Sequence, residues 1–289
     1  MDEDVQRRDF TLNALYYDPI KEQVVDYVGG VKDIRARRLE PVIPLDIIFR
    51  DDPVRMLRAI KYSVSTGCAI PFRVRRAIRK SSRLLQPVSP SRLTEEIIKI
   101  LNSGKAHPIV KAALKYDLFM YLQPAANSLI DGKGTFADNY AKSLEKLDQL
   151  VATGEDVRLG RKLMFIIGDL VNVIADWDGL PAEVYNHVYN ECRRFIMPMN
   201  PPRVELEFAV RACLKEGGLN IRQPRVRERT RGDAGRTDAR RTDAIKDETR
   251  MTENGDAENG HPGEKPQEAP HSSRRRRRRH STPPISAAN

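Results

Sequence analysis

Phe49-Arg50-Asp51-Asp52-Pro53-Val54-Arg55-Met56-Leu57-Arg58-Ala59 marks the point where this chain changes character. Asp52 offers a side-chain acceptor at a helix start, and Pro53 offers a preset φ at the first helical position. The spacing predicts a helix from there to Gly67, then a very basic one over Pro71 to Leu85. Ser89-Pro90-Ser91 opens a third, with Leu93, Ile97, Ile98 and Leu101 on one face. Pro108 to Leu122 reads as a fourth, and helices are expected over 136–152, 158–176, 182–196 and 201–216.

Upstream, the spacing is that of short strands. Thr11 to Tyr17 reads as a strand ending at the turn signal Asp18-Pro19. Gln23 to Val28 is β-branched and ends at Gly29-Gly30, a turn that needs positive φ and a candidate hinge. Val31 to Arg38 looks helical, and Leu39 to Ile43 an edge strand, because Pro41 lacks a ladder donor. The fold class is mainly α: a small α/β piece, an α-helical array and a basic tail.

After Gly217-Gly218 the aromatics stop. Residues 219–289 bury too little apolar area to offset chain entropy and are expected to be disordered. Six consecutive arginines, Arg274, Arg275, Arg276, Arg277, Arg278 and Arg279, suit polyanions of any sequence. The chain holds 50 Lys+Arg against 40 Asp+Glu, which favours polyanionic partners. Charge alone admits both nucleic acid and an anionic membrane; no run approaches the roughly 20 apolar residues of a membrane span, and RNA, not membrane, is the expected partner. The three cysteines, Cys68, Cys192 and Cys213, have no C-x-x-C spacing and read as buried thiols of a cytoplasmic protein. The five histidines form no i, i+4 pair, which argues against a metal site built on them.

Two strings carry chemistry. In Arg7-Arg8-Asp9-Phe10-Thr11-Leu12-Asn13-Ala14-Leu15, guanidinium forks suit phosphate oxygens, while Asp9 and Asn13 suit sugar hydroxyls. The plainer reading is a charged turn with an internal salt bridge. In the second string, Asp52 and Arg55 stand at i, i+3 and are expected on one helix face. A carboxylate there accepts from an exocyclic amine and a guanidinium donates to a ring nitrogen, an imitation of a base-pairing edge. The plainer reading makes Asp52 a helix cap and Arg55 and Arg58 a solvated face. Arg73, Arg75, Arg76 and Arg79 line the basic helix as candidate RNA contacts or as another solvated face.

The first string resembles the R-R-D-F-T-I/L-N-A motif of class II nucleotidyltransferases. Asp26-Tyr27-Val28-Gly29-Gly30-Val31-Lys32-Asp33 resembles their D-x-x-G-G-x-x-D segment, and Phe49 to Ala59 resembles their R-E-D-P-V/L-R-M/I-L-R-A neck motif. Asp51 stands where the family has Glu, one methylene shorter. The neck string Asp52 to Ala59, the Asp26–Asp33 string and the Arg-rich tail resemble bacterial poly(A) polymerases, relatives of tRNA CCA-adding enzymes, more than the CCA-adding enzymes themselves. The resemblance implies domains at 1–45 (the C-terminal part of a nucleotidyltransferase head), 46–125 (a neck binding nucleotide and RNA), 126–218 (a helical body) and 219–289 (the tail). It implies nucleotide binding by Arg7, Arg8, Asp9, Asn13, Asp52, Arg55 and Arg58, with ATP as substrate and RNA 3′ ends as partner. The family's catalytic carboxylates, in G-G-x-V-R-D and D-x-D segments that hold Mg²⁺, do not occur here. Asp2-Glu3-Asp4 spells D-x-D but belongs to the lead-in of the first motif. The expectation is therefore an N-terminally truncated polymerase, inactive alone, whose catalytic head is missing or separately encoded. The alternatives are a piece of a CCA-adding enzyme and a stand-alone, non-catalytic RNA-binding helical protein.

Removing residues 270–289 is expected to weaken RNA binding and flatten its dependence on salt. Fluorescence anisotropy across a salt titration measures both, and an unchanged affinity rejects the role given to the tail.

Overall fold

The computed structural model describes residues 2–132 and 134–221; the arginines at 274–279 lie outside them. After helix α1 (Asp2–Gln6), a 3-10 turn (Thr11–Asn13) leads into an antiparallel hairpin of β1 (Leu15–Asp18) and β2 (Gln23–Asp26). Leu15 pairs with Asp26 and Asp18 with Gln23. Asp26 then turns the chain from strand to helix. Its Oδ1 accepts from the backbone N–H of Val28, Gly29 and Gly30 at 3.2, 2.8 and 2.9 Å, and its Oδ2 from Val31 at 3.0 Å. One carboxylate thus satisfies donors that helix α2 (Gly30–Arg35) cannot satisfy itself. Gly29 supplies the positive φ of 84°, and a Cβ on Gly30 would stand 2.3 Å from the Thr11 carbonyl oxygen.

The expected strand over Thr11 to Tyr17 begins only at Leu15. The preceding turn is held by bonds a strand would not make. Asp9 Oδ1 accepts from the Phe10 N–H (2.9 Å) and from the Asn13 amide (3.1 Å). The Thr11 hydroxyl donates to buried Asp33 at 2.9 Å. Residues 39–43 form no strand: Pro41 makes an isolated bridge to Phe10, and Arg38, just before them, one to Ala69. Tyr17, Ile20 and Val24 on the hairpin are exposed.

Helices build the rest. Helix α3 (Ile48–Asp51) and helix α4 (Arg55–Thr66) meet at an extended Asp52, so the helix expected to start at Asp52-Pro53 starts at Arg55. Then come α5 (Phe72–Ser81) with a 3-10 turn over Ser82–Leu85, α6 (Pro90–Leu101), α7 (Ala106–Lys115) and α8 (Phe119–Leu122). They are followed by α9 (Pro124–Asp131), α10 (Phe136–Ala152), α11 (Leu159–Ile174), α12 (Pro181–Phe195) and α13 (Arg203–Glu216). Ser89 caps α6 through a bond to the Arg92 N–H. The single helix expected over Pro108 to Leu122 breaks at Asp117, whose φ of 56° is left-handed. Two helix starts are capped from elsewhere in the chain. Asp148 of α10 accepts from the Ala106 and His107 N–H at the start of α7, and Glu205 of α13 accepts from the Gly160 N–H at the start of α11.

A single apolar core runs from Phe10 to Leu219. Cys68, Cys192 and Cys213 are buried free thiols, and burial pushes Cys192 and Cys213 far above the usual thiol range. Among the described residues no helix is long and apolar enough to cross a membrane.

Burial works against ionisation of Asp26, but its four backbone donors win and hold the carboxyl below the usual range. Its stabilising effect is therefore present above the ordinary carboxylate pKa and is lost as pH falls through the lowered folded value. Asp26→Ala is expected to cost roughly 1–3 kcal/mol at neutral pH. The gap to wild type should shrink on acidification, read by thermal unfolding at pH 7 and below pH 4.

Candidate functional site

The Arg7–Asn13 turn and the first two turns of α4 face one another across a cavity of about 370 Å³. Arg7, Arg8, Asp9, Asn13, Arg55, Arg58 and Tyr62 line it, four guanidinium groups against one carboxylate. Arg55, Arg58 and Tyr62 follow at spacings of three and four, so one helix face supplies that whole wall.

Each wall is held from behind. Arg55 is 11% exposed. Its Nη1 donates to Asp51 Oδ2 at 2.6 Å and to the Ile48 carbonyl at 3.3 Å, and its Nη2 reaches the Arg7 carbonyl at 3.4 Å. That guanidinium therefore ties α3, α4 and the N-terminal turn together. The shorter Asp51 side chain reaches it without difficulty. Asp9 is buried, and both of its hydrogen bonds use Oδ1. Tyr62 packs edge-on against Phe10 with ring centroids 6.1 Å apart. Burial raises its phenol pKa, and the Asp9 charge adds to the effect. Arg8 pairs with Asp4 at 2.7 Å, and Asp4 also accepts from the Tyr16 hydroxyl. These two partners hold the Asp4 carboxyl below the usual range.

Behind Arg58 lies a buried acid that the sequence reading missed. Glu96 of α6 is 2% exposed. Its carboxylate meets Arg58 Nε at 3.5 Å, Lys61 Nζ at 3.2 Å and Lys99 Nζ at 2.8 Å. The signal was present: Glu96 lies three residues after Leu93 and four before Ile100, on the apolar stripe of α6. A charged residue there must find partners across the interface.

Asp52 departs from its expected geometry. It is not on the α4 face with Arg55, because it ends α3 in an extended conformation (φ −141°, ψ 98°). Its Oδ1 accepts from Arg92 Nη2 at 2.8 Å and from the Val54 N–H at 3.2 Å, and its Oδ2 is 3.9 Å from Arg58. The backbone bond resembles the expected cap, but the carboxylate stands behind Arg58 and does not line the cavity.

A second cavity, about 400 Å³, opens beside α5. Phe72, Arg75, Arg76, Arg79, Lys115 and Tyr116 line it, with no carboxylate among them. Of the four predicted arginines on this helix the structure gathers three. Arg73 is drawn off to Glu40. Lys115 and Tyr116 come from the end of α7, about forty residues away in sequence, where no local pattern links them to α5. Among the described residues no group of three His, Cys, Asp or Glu side chains could hold a metal ion.

Comparison with known proteins adds the following. Residues 1–40 match the family model described as the poly A polymerase head domain, and residues 67–130 the one described as the probable RNA and SrmB-binding site of polymerase A. Poly(A) polymerase I of Escherichia coli O157:H7 is 34% identical over 159 residues, 55% of this chain and 33% of its own length. Its Haemophilus influenzae counterpart is 32% identical over 163 residues, 56% of this chain and 35% of its own. The CCA-adding enzyme of Anoxybacillus flavithermus is 31% identical over 126 residues, 44% of this chain and 32% of its own. The chain thus spans about a third of the length of the curated relatives it matches. Among solved structures, a tRNA-processing enzyme in apo form is similar with a TM-score of 0.49 and 22% identity, over 75% of this chain and 54% of that one.

Burial opposes ionisation of Glu96, but its lysine partners prevail and hold the carboxyl below the usual range. Among the described residues, Glu96→Ala leaves Lys61 without a counter-charge and Arg58 with only the more distant Asp52 carboxylate at 3.9 Å. The expected loss is roughly 3–5 kcal/mol, measured by urea unfolding at neutral pH. Glu96 stabilises the fold above the ordinary carboxylate pKa, so the loss should narrow as pH falls through the lowered folded value.

Proposed function

We propose that the chain forms the nucleotide- and RNA-recognition face of an enzyme that adds AMP from ATP to RNA 3′ ends, a reading supported by its matches to the poly A polymerase head and RNA-binding family models. The observation that carries this reading is the cationic cavity between the Arg7–Asn13 turn and α4. A triphosphate is a compact polyanion, and guanidinium forks match its oxygens in geometry as well as charge. Arg7 and Arg8 suit the phosphates from one wall of that cavity. Asp9 keeps Oδ2 without a protein partner among the described residues. That oxygen, beside the Asn13 amide, suits ribose hydroxyls.

Selection of adenine falls to the α4 wall. Arg55 and Arg58 face the cavity as donors to ring nitrogens. Asp52 orients Arg58 from behind, and it accepts from an exocyclic amine only if it exchanges Arg92 for the base. Arg75, Arg76 and Arg79 grip the RNA backbone, Arg73 joins them only on leaving Glu40, and the Arg274–Arg279 run adds a grip without sequence preference. The setting is cytoplasmic RNA processing.

Phosphoryl transfer in the resembled family uses divalent ions held by clustered carboxylates. Among the described residues no cluster fits such ions, and in this reading their part is binding and orientation. The catalytic carboxylates come from outside the described residues in this reading.

Isothermal titration of the purified chain with ATP and with CTP tests the proposal. ATP should bind, and Arg58→Ala should weaken it by roughly ten- to a hundred-fold, the loss of about 1.5–3 kcal/mol for a charge-assisted contact. CTP bound as tightly as ATP would move the assignment to CCA addition. Absence of nucleotide binding would remove it.

A further inference from the structure

Resting on the RNA-recognition reading above, we infer that the α5 cavity is a single-strand subsite. In it, one unpaired base of the RNA stacks on the exposed ring of Phe72 while Arg75, Arg76, Arg79 and Lys115 hold the flanking phosphates.

Three features lead there. Phe72 is 72% exposed at the first position of α5, at the rim of the cavity. A ring of that size left in water at the edge of a cation cluster has no packing role in the fold. The cations around it are uncommitted: among the described residues none of Arg75, Arg76, Arg79 and Lys115 is in an ion pair, whereas Arg73 on the same helix is held by Glu40. Their aliphatic and guanidinium surfaces also lie against rings. The Arg75 guanidinium carbon is 5.9 Å from the Phe72 centroid, and that of Arg79 is 5.5 Å from the Tyr116 centroid. Tyr116 is itself buried, so it fixes Arg79 from below.

The combination selects single strands. Every base offers a π-face, so stacking on Phe72 tolerates any sequence, and a base paired within a duplex has both faces covered. Arg75 and Arg79 stand one helical turn apart on the same face, about 5–6 Å between their Cβ atoms, so they address successive points along one strand. Guanidinium groups already lying against rings lose little freedom on meeting phosphate. The subsite therefore binds a segment of the RNA upstream of its reacting end and rejects ends that are closed in a duplex.

The test compares the full chain with its Phe72→Ala, Phe72→Trp and Arg75→Ala/Arg79→Ala variants. The probes are a fluorescent single-stranded oligoadenylate and an RNA duplex of equal length, followed by anisotropy across a salt titration. Phe72→Ala should weaken single-strand binding roughly five- to a hundred-fold without changing the salt slope, and should leave duplex binding untouched. Phe72→Trp should restore affinity, and oligoadenylate should quench its added emission beyond the background of Trp177 in the wild type. The double arginine variant should lower the salt slope by about 1.4, two contacts at about 0.7 each. Phe72 is exposed, so loss of folding is not at issue, and circular dichroism checks the arginine variant. Single-strand affinity unchanged in Phe72→Ala, or lost equally for duplex, overturns the stacking subsite and leaves the ring to a protein contact. A wild type that binds neither RNA overturns the broader reading with it.

Discussion

A carboxylate taken out of water must be met by cations or hydrogen-bond donors or lose its charge, and Glu96, buried on α6, is met by cations. It sits on the apolar side of α6 and draws Arg58 and Lys61 from α4 and Lys99 from its own helix. The desolvation cost fixes where α4 can lie against α6, because only that placement gives the acid its partners. The same contact leaves Arg58 pointing at the cavity with one side occupied. Asp52 and Arg92 extend the chain of charges, and Arg55 closes it onto the Arg7 carbonyl. The α4 wall of the cavity thus inherits its geometry from the packing behind it.

The acids elsewhere follow a similar division of labour. Asp26 serves four backbone donors. Asp33 takes Thr11 and Arg38, Asp148 caps α7, and Glu205 caps α11. Structural carboxylates are turned inward, onto N–H groups and partner side chains that would otherwise be unsatisfied. Seven arginines line two cavities, one with a single buried acid and one with none. Cationic side chains are thus gathered at two places where they can meet polyanions.

Much of the helical part was legible because periodicity is local. The helices at 136–152, 159–174, 181–195 and 203–216 lie close to where the apolar spacing puts them. The misreadings also share a cause. Thr11 to Asn13 forms a turn because Asp9 and Asp33 hold it, and no strand propensity competes with buried hydrogen bonds. Residues 116–118 break a helix that spacing would continue, because Asp117 adopts a left-handed conformation and the Leu118 N–H returns to the Ala113 carbonyl. Asp52 looked like a helix start because Asp-Pro usually is one, but Ile48 to Asp51 had already coiled ahead of it.

By itself the sequence determined the helix register, the cationic balance and the identity of the Arg7–Asn13 and Asp52–Arg58 segments. Each of these is written in neighbouring residues or in their spacing. Only the tertiary structure decided that Arg55 and Arg58 face Arg7 and Arg8 while Asp52 stands behind them, that Arg73 leaves the α5 group, and that Lys115 and Tyr116 join it. Those outcomes turn on which charges are desolvated together, and desolvation depends on helices that pack from distant parts of the chain.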